Sequence, residues 1–153
     1  MSSRLAAEFF AKGVDALSHD HFYLARVCFE QAVHEERTPA GCSYLALANA
    51  KSRGEFDEAI ALAEEAISKE PENSVFYLNL GQIYLLAGLK KEALDTFRKG
   101  VQFERNAEII CELDAFAPRA PPLFPKLRRS HPLNRYLGKF LARLGLRRVR
   151  GGK

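Results

Sequence analysis

Residues 74–107 read SVFYLNLGQIYLLAGLKKEALDTFRKGVQFERNA. Apolar side chains recur in this stretch at helical spacing, once from Ser74 to Ala87 and again from Lys90 to Phe103, with Gly88 between the two runs. That pattern predicts two amphipathic helices joined by a tight turn. Asn73 and Ser74 offer N-cap oxygens ahead of the first helix, and Gly88 stands where a left-handed residue closes it. A segment this short cannot bury a core of its own, so its apolar face must be shared with neighbouring segments.

Those neighbours are visible at a fixed step of 34 residues, which relates Ala25 to Ala59 to Ala93, Ala32 to Ala66 to Gly100, and Val33 to Ile67 to Val101. The same step joins Glu36, Glu70 and Glu104 and pairs Gly54 with Gly88, and two such steps separate Phe29 from Phe97. A 34-residue unit fits two antiparallel helices. Two further pairs are therefore expected, at about 5–18 with 21–35 and at about 40–52 with 56–69, the second ended by Pro71. Where the two helices of a pair cross closely, only a very small side chain fits, which explains alanine in the 25/59/93 column and glycine at position 81.

The chain resembles the tetratricopeptide repeat family, with three tandem units at about 6–39, 40–73 and 74–107. The third unit matches best: Tyr77, Leu80, Gly81, Tyr84, Ala93 and Phe97 stand at the family's signature positions. The second keeps Gly54, Ala59, Ala66 and Pro71 but has Ser43, Leu47 and Ala63 at other signature positions. The first keeps Phe9, Gly13, Ala25, Phe29 and Ala32, with Arg37 where proline is usual. The resemblance implies an all-α, right-handed helix-turn-helix repeat solenoid.

Composition supports a folded chain without naming a chemistry. Of 153 residues, 47% are hydrophobic and 27% charged, values that argue against wholesale disorder or a disulfide-built miniprotein. The net charge of +4 conceals a segregation: residues 1–114 carry twelve Lys and Arg against nineteen Asp and Glu, a net −7, whereas residues 115–153 carry eleven basic residues and no acidic one, a net +11. The organisation expected is an acidic repeat domain over 1–117 closed by a capping helix at 106–116, a Pro-rich basic connector at 118–131, and a basic amphipathic tail helix at 132–153.

By the family's register, a concave face would be lined by the first helix of each pair: Phe10, Val14 and Leu17, then Tyr44, Ala48 and Lys51, then Leu78, Gln82 and Leu85. The same side chains also read as helix-packing core. An apolar groove of this kind suits an amphipathic helix or an extended apolar peptide. Family members that hold acidic C-terminal peptides of heat-shock chaperones carry a Lys, Asn and Arg clamp. The matching positions here are Phe10, Val14, Leu45, Val75 and Asn79, which disfavours that role.

The tail admits three readings. Its apolar stripe of Leu133, Leu137, Phe140 and Leu144 could dock on the acidic body. With Arg135, Lys139 and Arg143 the tail could instead lie on an anionic membrane surface, where Tyr136 and Phe140 could insert, or bind nucleic acid. Homodimerisation through exposed repeat ends is also open. No catalytic motif or cofactor loop is found, and His19 and His21 around Asp20 read as a solvated turn rather than a metal site. Cys28, Cys42 and Cys111 form no paired motif and read as mostly buried free thiols. With no apolar run of signal or membrane-spanning length, the expectation is a cytoplasmic, non-enzymatic adaptor or scaffold with a protein or peptide partner.

Overall fold

A computed structural model describes residues 2–116, which form seven α-helices: α1 (Ser2–Ser18), α2 (Phe22–Glu35), α3 (Pro39–Arg53), α4 (Phe56–Lys69), α5 (Ser74–Leu86), α6 (Lys90–Phe103) and α7 (Ala107–Phe116). The connector and tail expected at 118–153 lie outside the described residues. Consecutive helices pair as α1 with α2, α3 with α4 and α5 with α6, and each pair stacks on the next through α2 against α3 and α4 against α5. The all-α solenoid is thus three helix pairs followed by a single helix.

The ends of the first helices follow one rule at three places. Asp20, Gly54 and Gly88 lie 34 residues apart and all adopt positive φ, at 59°, 72° and 80°. After α5 the Leu89 N–H bonds the Tyr84 carbonyl at 2.8 Å and the Gly88 N–H bonds that of Leu85 at 3.1 Å. After α1 the His21 N–H bonds the Ala16 carbonyl at 2.9 Å and the Asp20 N–H bonds that of Leu17 at 3.2 Å. Both are Schellman closures, which satisfy carbonyls the helix leaves unpaired. Aspartate tolerates the left-handed region better than most residues, so Asp20 does in the first pair what glycine does in the others.

The helix starts are set by side chains. Thr38 Oγ1 accepts from the Gly41 N–H at 3.0 Å and Pro39 takes the first turn, so α3 begins one residue before the sequence pattern suggested. Asn73 Oδ1 accepts from the Val75 N–H at 3.2 Å at the head of α5. Arg37 donates to both Glu65 carboxylate oxygens, at 2.8 and 3.4 Å, fastening the α2–α3 loop to α4.

Within the pairs, Ala25, Ala59 and Ala93 have no exposed surface. Gly81 lies under Phe97, where an added Cβ would stand 2.1 Å from the ring, and Gly13 lies under Phe29, where it would stand 2.6 Å away. The middle pair inverts this arrangement: Leu47 occupies the register of Gly13 and Gly81, and Ala63 that of Phe29 and Phe97, with both buried in one cluster. What looks like a double departure from the repeat pattern exchanges bulk between facing helices, the kind of swap that cores tolerate.

The last helix is positioned by a polar chain at its root. Asn106 Oδ1 accepts from the N–H groups of Glu108 and Ile109 at 2.9 and 3.3 Å, while its amide donates to Ser74 Oγ at 3.3 Å. Ser74, fully buried, in turn donates its hydroxyl to Glu104 Oε2 at 2.8 Å. Ile109 then packs into the cluster of Leu78, Ala93 and Phe97.

Candidate binding groove

The first helices α1, α3 and α5 lie side by side. On α1 and α3 the structure brings together an aromatic wall. Phe10 meets Tyr44 edge-on, with centroids 5.2 Å apart and planes at 85°, and both rings contact the fully buried Phe29, at 5.6 and 5.5 Å. Aromatic contacts of this geometry add rigidity beyond the area they bury. Phe10 and Tyr44 are half-buried, so part of each ring stays accessible. Val14 is 37% exposed, and Leu17 packs both against the cluster of Ala46, Leu47 and Ala63 and against that of Ala25, Phe29 and Ala48.

The remaining groove candidates divide. Gln82 and Leu85 are half-buried, Leu85 against the cluster that holds Ile109. Ala48 and Leu78 are buried, Ala48 beneath the aromatic wall and Leu78 in the cluster of Phe97 and Ile109, so both belong to the floor rather than to the accessible face. Lys51 is half-buried with its ammonium 4.8 Å from the centroid of the Phe22 ring. The tail candidates Arg135, Tyr136, Lys139, Phe140 and Arg143 lie outside the described residues.

Electrostatically the wall is a weak place for negative charge. The Tyr44 hydroxyl is held protonated above its usual range, first by burial and then by the Glu108 carboxylate on α7. Of the five positions that would form a carboxylate clamp, four are apolar. The fifth, Asn79, is 3% exposed and donates its amide to Ser43 Oγ at 3.0 Å. Its amide is engaged inside the fold.

Among the described residues no cluster of His, Cys, Asp and Glu is placed to hold a metal, and no helix is long and apolar enough to cross a membrane. His19 and His21 stack with centroids 6.3 Å apart, and His19 Nδ1 lies 2.9 Å from the Asp15 carbonyl. Cys28 and Cys42 are buried, whereas Cys111 is exposed on α7. Burial pushes the Cys42 thiol above its normal range.

The tetratricopeptide repeat family model matches residues 50–109. Among solved structures, the chain resembles the Arabidopsis OM64 TPR domain at 17% identity and a TM-score of 0.63, over 75% of this chain and 95% of that one. It also resembles the first TPR of Spaghetti (RPAP3) bound to the HSP90 peptide SRMEEVD, at 18% identity and a TM-score of 0.62, over 74% of this chain and 93% of that one. The fold of the described residues is that of a tetratricopeptide repeat domain. The Sgt2 TPR domain from Aspergillus fumigatus is a further structural relative, with 18% identity and a TM-score of 0.61 over 97% of this chain and 87% of that one. No curated protein matches the sequence.

Two features of this repeat array escaped reading from the repeat signature. Asp20 stands in the glycine column of the first repeat's turn, and Tyr23 and Leu24 are exposed on α2 at 69% and 54%. Both were available by comparing residues 34 apart outside the signature positions.

Proposed function

We propose that the repeats form a non-enzymatic adaptor that holds a protein segment against the face of α1 and α3, with Phe10, Val14, Leu17 and Tyr44 as its principal contacts and Gln82 and Leu85 extending it. The observation that carries this reading is the locked aromatic wall: rings held at 5.2–5.6 Å present a preshaped apolar surface, so most of the ordering cost of binding falls on the ligand. An amphipathic helix or an extended apolar peptide matches it. The HSP90 peptide held by the Spaghetti relative, SRMEEVD, carries three acidic residues in its last four positions. Here the clamp register is apolar and Asn79 donates to Ser43, so the part of the segment held over Phe10 and Tyr44 is apolar.

The experiment is selection of a random-peptide display library against the full chain, followed by affinity measurement on the wild type and on a Phe10→Ala, Tyr44→Ala double variant. Enriched apolar peptides that lose at least about tenfold in affinity with the variant, while its helical signal persists, support the groove. Equal binding to both proteins refutes it.

The charge segregation favours a second reading, in which the +11 segment beyond residue 114 docks on the acidic body or carries the affinity for an anionic surface. Binding through that segment would collapse between low and moderate salt, and binding through the groove would not.

A further inference from the structure

One end of the groove, where the first and second repeats meet, reverses the polarity that the same registers have elsewhere in the array. At the start of α4 and α6 the residues after the turn are Asp57 with Glu58 and Lys91 with Glu92; at the start of α2 the same register holds Tyr23 and Leu24. Across from them, at the end of α3, Lys51 stands in the register that Leu17 and Leu85 fill in the other first helices. Where the sister repeats are charged this site is apolar, and where they are apolar it is charged.

These residues line one cleft. A hollow of about 660 Å³ is bounded by Asp20, His21, Phe22, Tyr23 and Leu24 on one side and by Lys51 and Ser52 on the other. Its volume falls in the range of small-ligand and peptide side-chain sites. Each aromatic ring carries a cation: Lys51 lies over Phe22 and the Arg26 guanidinium lies 4.9 Å from the Tyr23 centroid. Arg26 is buried, pairs with Glu30, and has no hydrogen-bond partner for its Nε among the described residues. Its register in the sister repeats is held by Ile60 and Leu94.

Lys51 has no carboxylate partner among the described residues, although acidic side chains outnumber basic ones over that span. Its charge also complements the C-terminus of α3, in whose last turn it lies. Asp20 is the carboxylate on the rim, so an incoming anion is favoured on the Lys51 side alone.

We propose that this cleft is a second docking point, at the end of the groove, for a protein segment that places an aliphatic side chain against Phe22, Tyr23 and Leu24 and an adjacent carboxylate on the Lys51 ammonium. The proposal rests on the adaptor reading for its partner class but not on the aromatic wall. It adds a charge requirement that the groove lacks, so the preferred segment runs from apolar residues over Phe10 and Tyr44 to an aliphatic–acidic pair at Lys51.

The test is an amide chemical-shift titration of the full chain with three capped tetrapeptides, acetyl-Ala-Leu-Glu-Ala-amide and its Gln and Lys counterparts at the third position, each taken to millimolar concentration. The Glu peptide is expected to shift amides within 20–24 and 51–52 and to bind about threefold more tightly than the Gln peptide, with the Lys peptide weaker still. Lys51→Gln should erase the difference between Glu and Gln. A Tyr23→Asp, Leu24→Glu variant copies the sister repeat, and acidic residues suit the first turn of a helix, so it should melt no lower than the wild type while losing the cleft shifts. Equal affinity of the three peptides, shifts confined to Phe10, Val14 and Tyr44, or no localised shift overturns the cleft. The second of those outcomes leaves the groove standing; cleft shifts that persist in the Phe10→Ala, Tyr44→Ala variant support the cleft by itself.

Discussion

Replacing Gly81 with alanine sets two physical effects against each other, and the structure decides the sign. In the middle of α5, alanine gains about 1 kcal/mol over glycine from helix propensity alone. The new methyl, however, would stand 2.1, 2.5 and 2.7 Å from Phe97 Cε1, Cδ1 and Cζ, and Phe97 has no exposed surface into which to retreat. Overpacking a filled core costs about 1–3 kcal/mol, and a contact this short belongs at the upper end. The net expectation is a loss of about 2 kcal/mol, a fall in Tm of roughly 6–10 °C for a domain of this size. Thermal and urea denaturation followed by circular dichroism would measure it. Gly13→Ala, whose methyl would stand 2.6 Å from Phe29, should lose less. The middle pair supplies a further check: Gly81→Leu combined with Phe97→Ala reproduces the Leu47 and Ala63 arrangement and should be less damaging than the sum of the two single changes, with a coupling of about 1 kcal/mol or more. An unchanged or raised Tm for Gly81→Ala would refute the close-packing account.

Other outcomes follow from particular contacts. Asp20→Gly relieves a non-glycine residue at φ 59° and should raise stability by about 0.5–1 kcal/mol, seen as a higher urea midpoint. Asn106→Ala removes the cap of α7 and its tie to Ser74, so hydrogen exchange should accelerate across 108–113 while α1–α4 keep their protection. Under native conditions a thiol reagent should label Cys111 quickly and leave Cys28 and Cys42 to react only on unfolding. Tyr44, Tyr77 and Tyr84 all have hydroxyls held protonated above the usual range, first by burial in each case. Their neutral forms favour the fold, so stability should be intact below about pH 10, the ordinary tyrosine value, and fall as pH rises beyond it; a denaturant midpoint that rises there would contradict this.

The groove was legible only in part. Phe10, Val14, Leu17 and Tyr44 could be named because the register of the repeat places them on one face of first helices, and exposure there is set locally. Ala48 and Leu78 have the same register and are buried, because what covers them comes from elsewhere: the aromatic wall over Ala48, and Phe97 and Ile109 over Leu78. The cleft at Lys51 depends on the turn after α1, the start of α2 and the end of α3 meeting, and no one of these segments carries its signal alone.

What the amino-acid sequence determined by itself is the repeat: a 34-residue step, small residues where helices cross, and caps and left-handed turns at the ends, all properties of short stretches of chain that recur wherever the local chemistry recurs. Tertiary structure decided which departures matter. Leu47 and Ala63 are each anomalous in their own helix and complementary across the pair, because packing conserves volume between helices rather than within one. Asn79 looks like a polar contact for a ligand until Ser43, on the neighbouring helix, takes its amide. A side chain's availability is settled by the partners that folding brings to it, and those lie at sequence distances the repeat pattern does not encode.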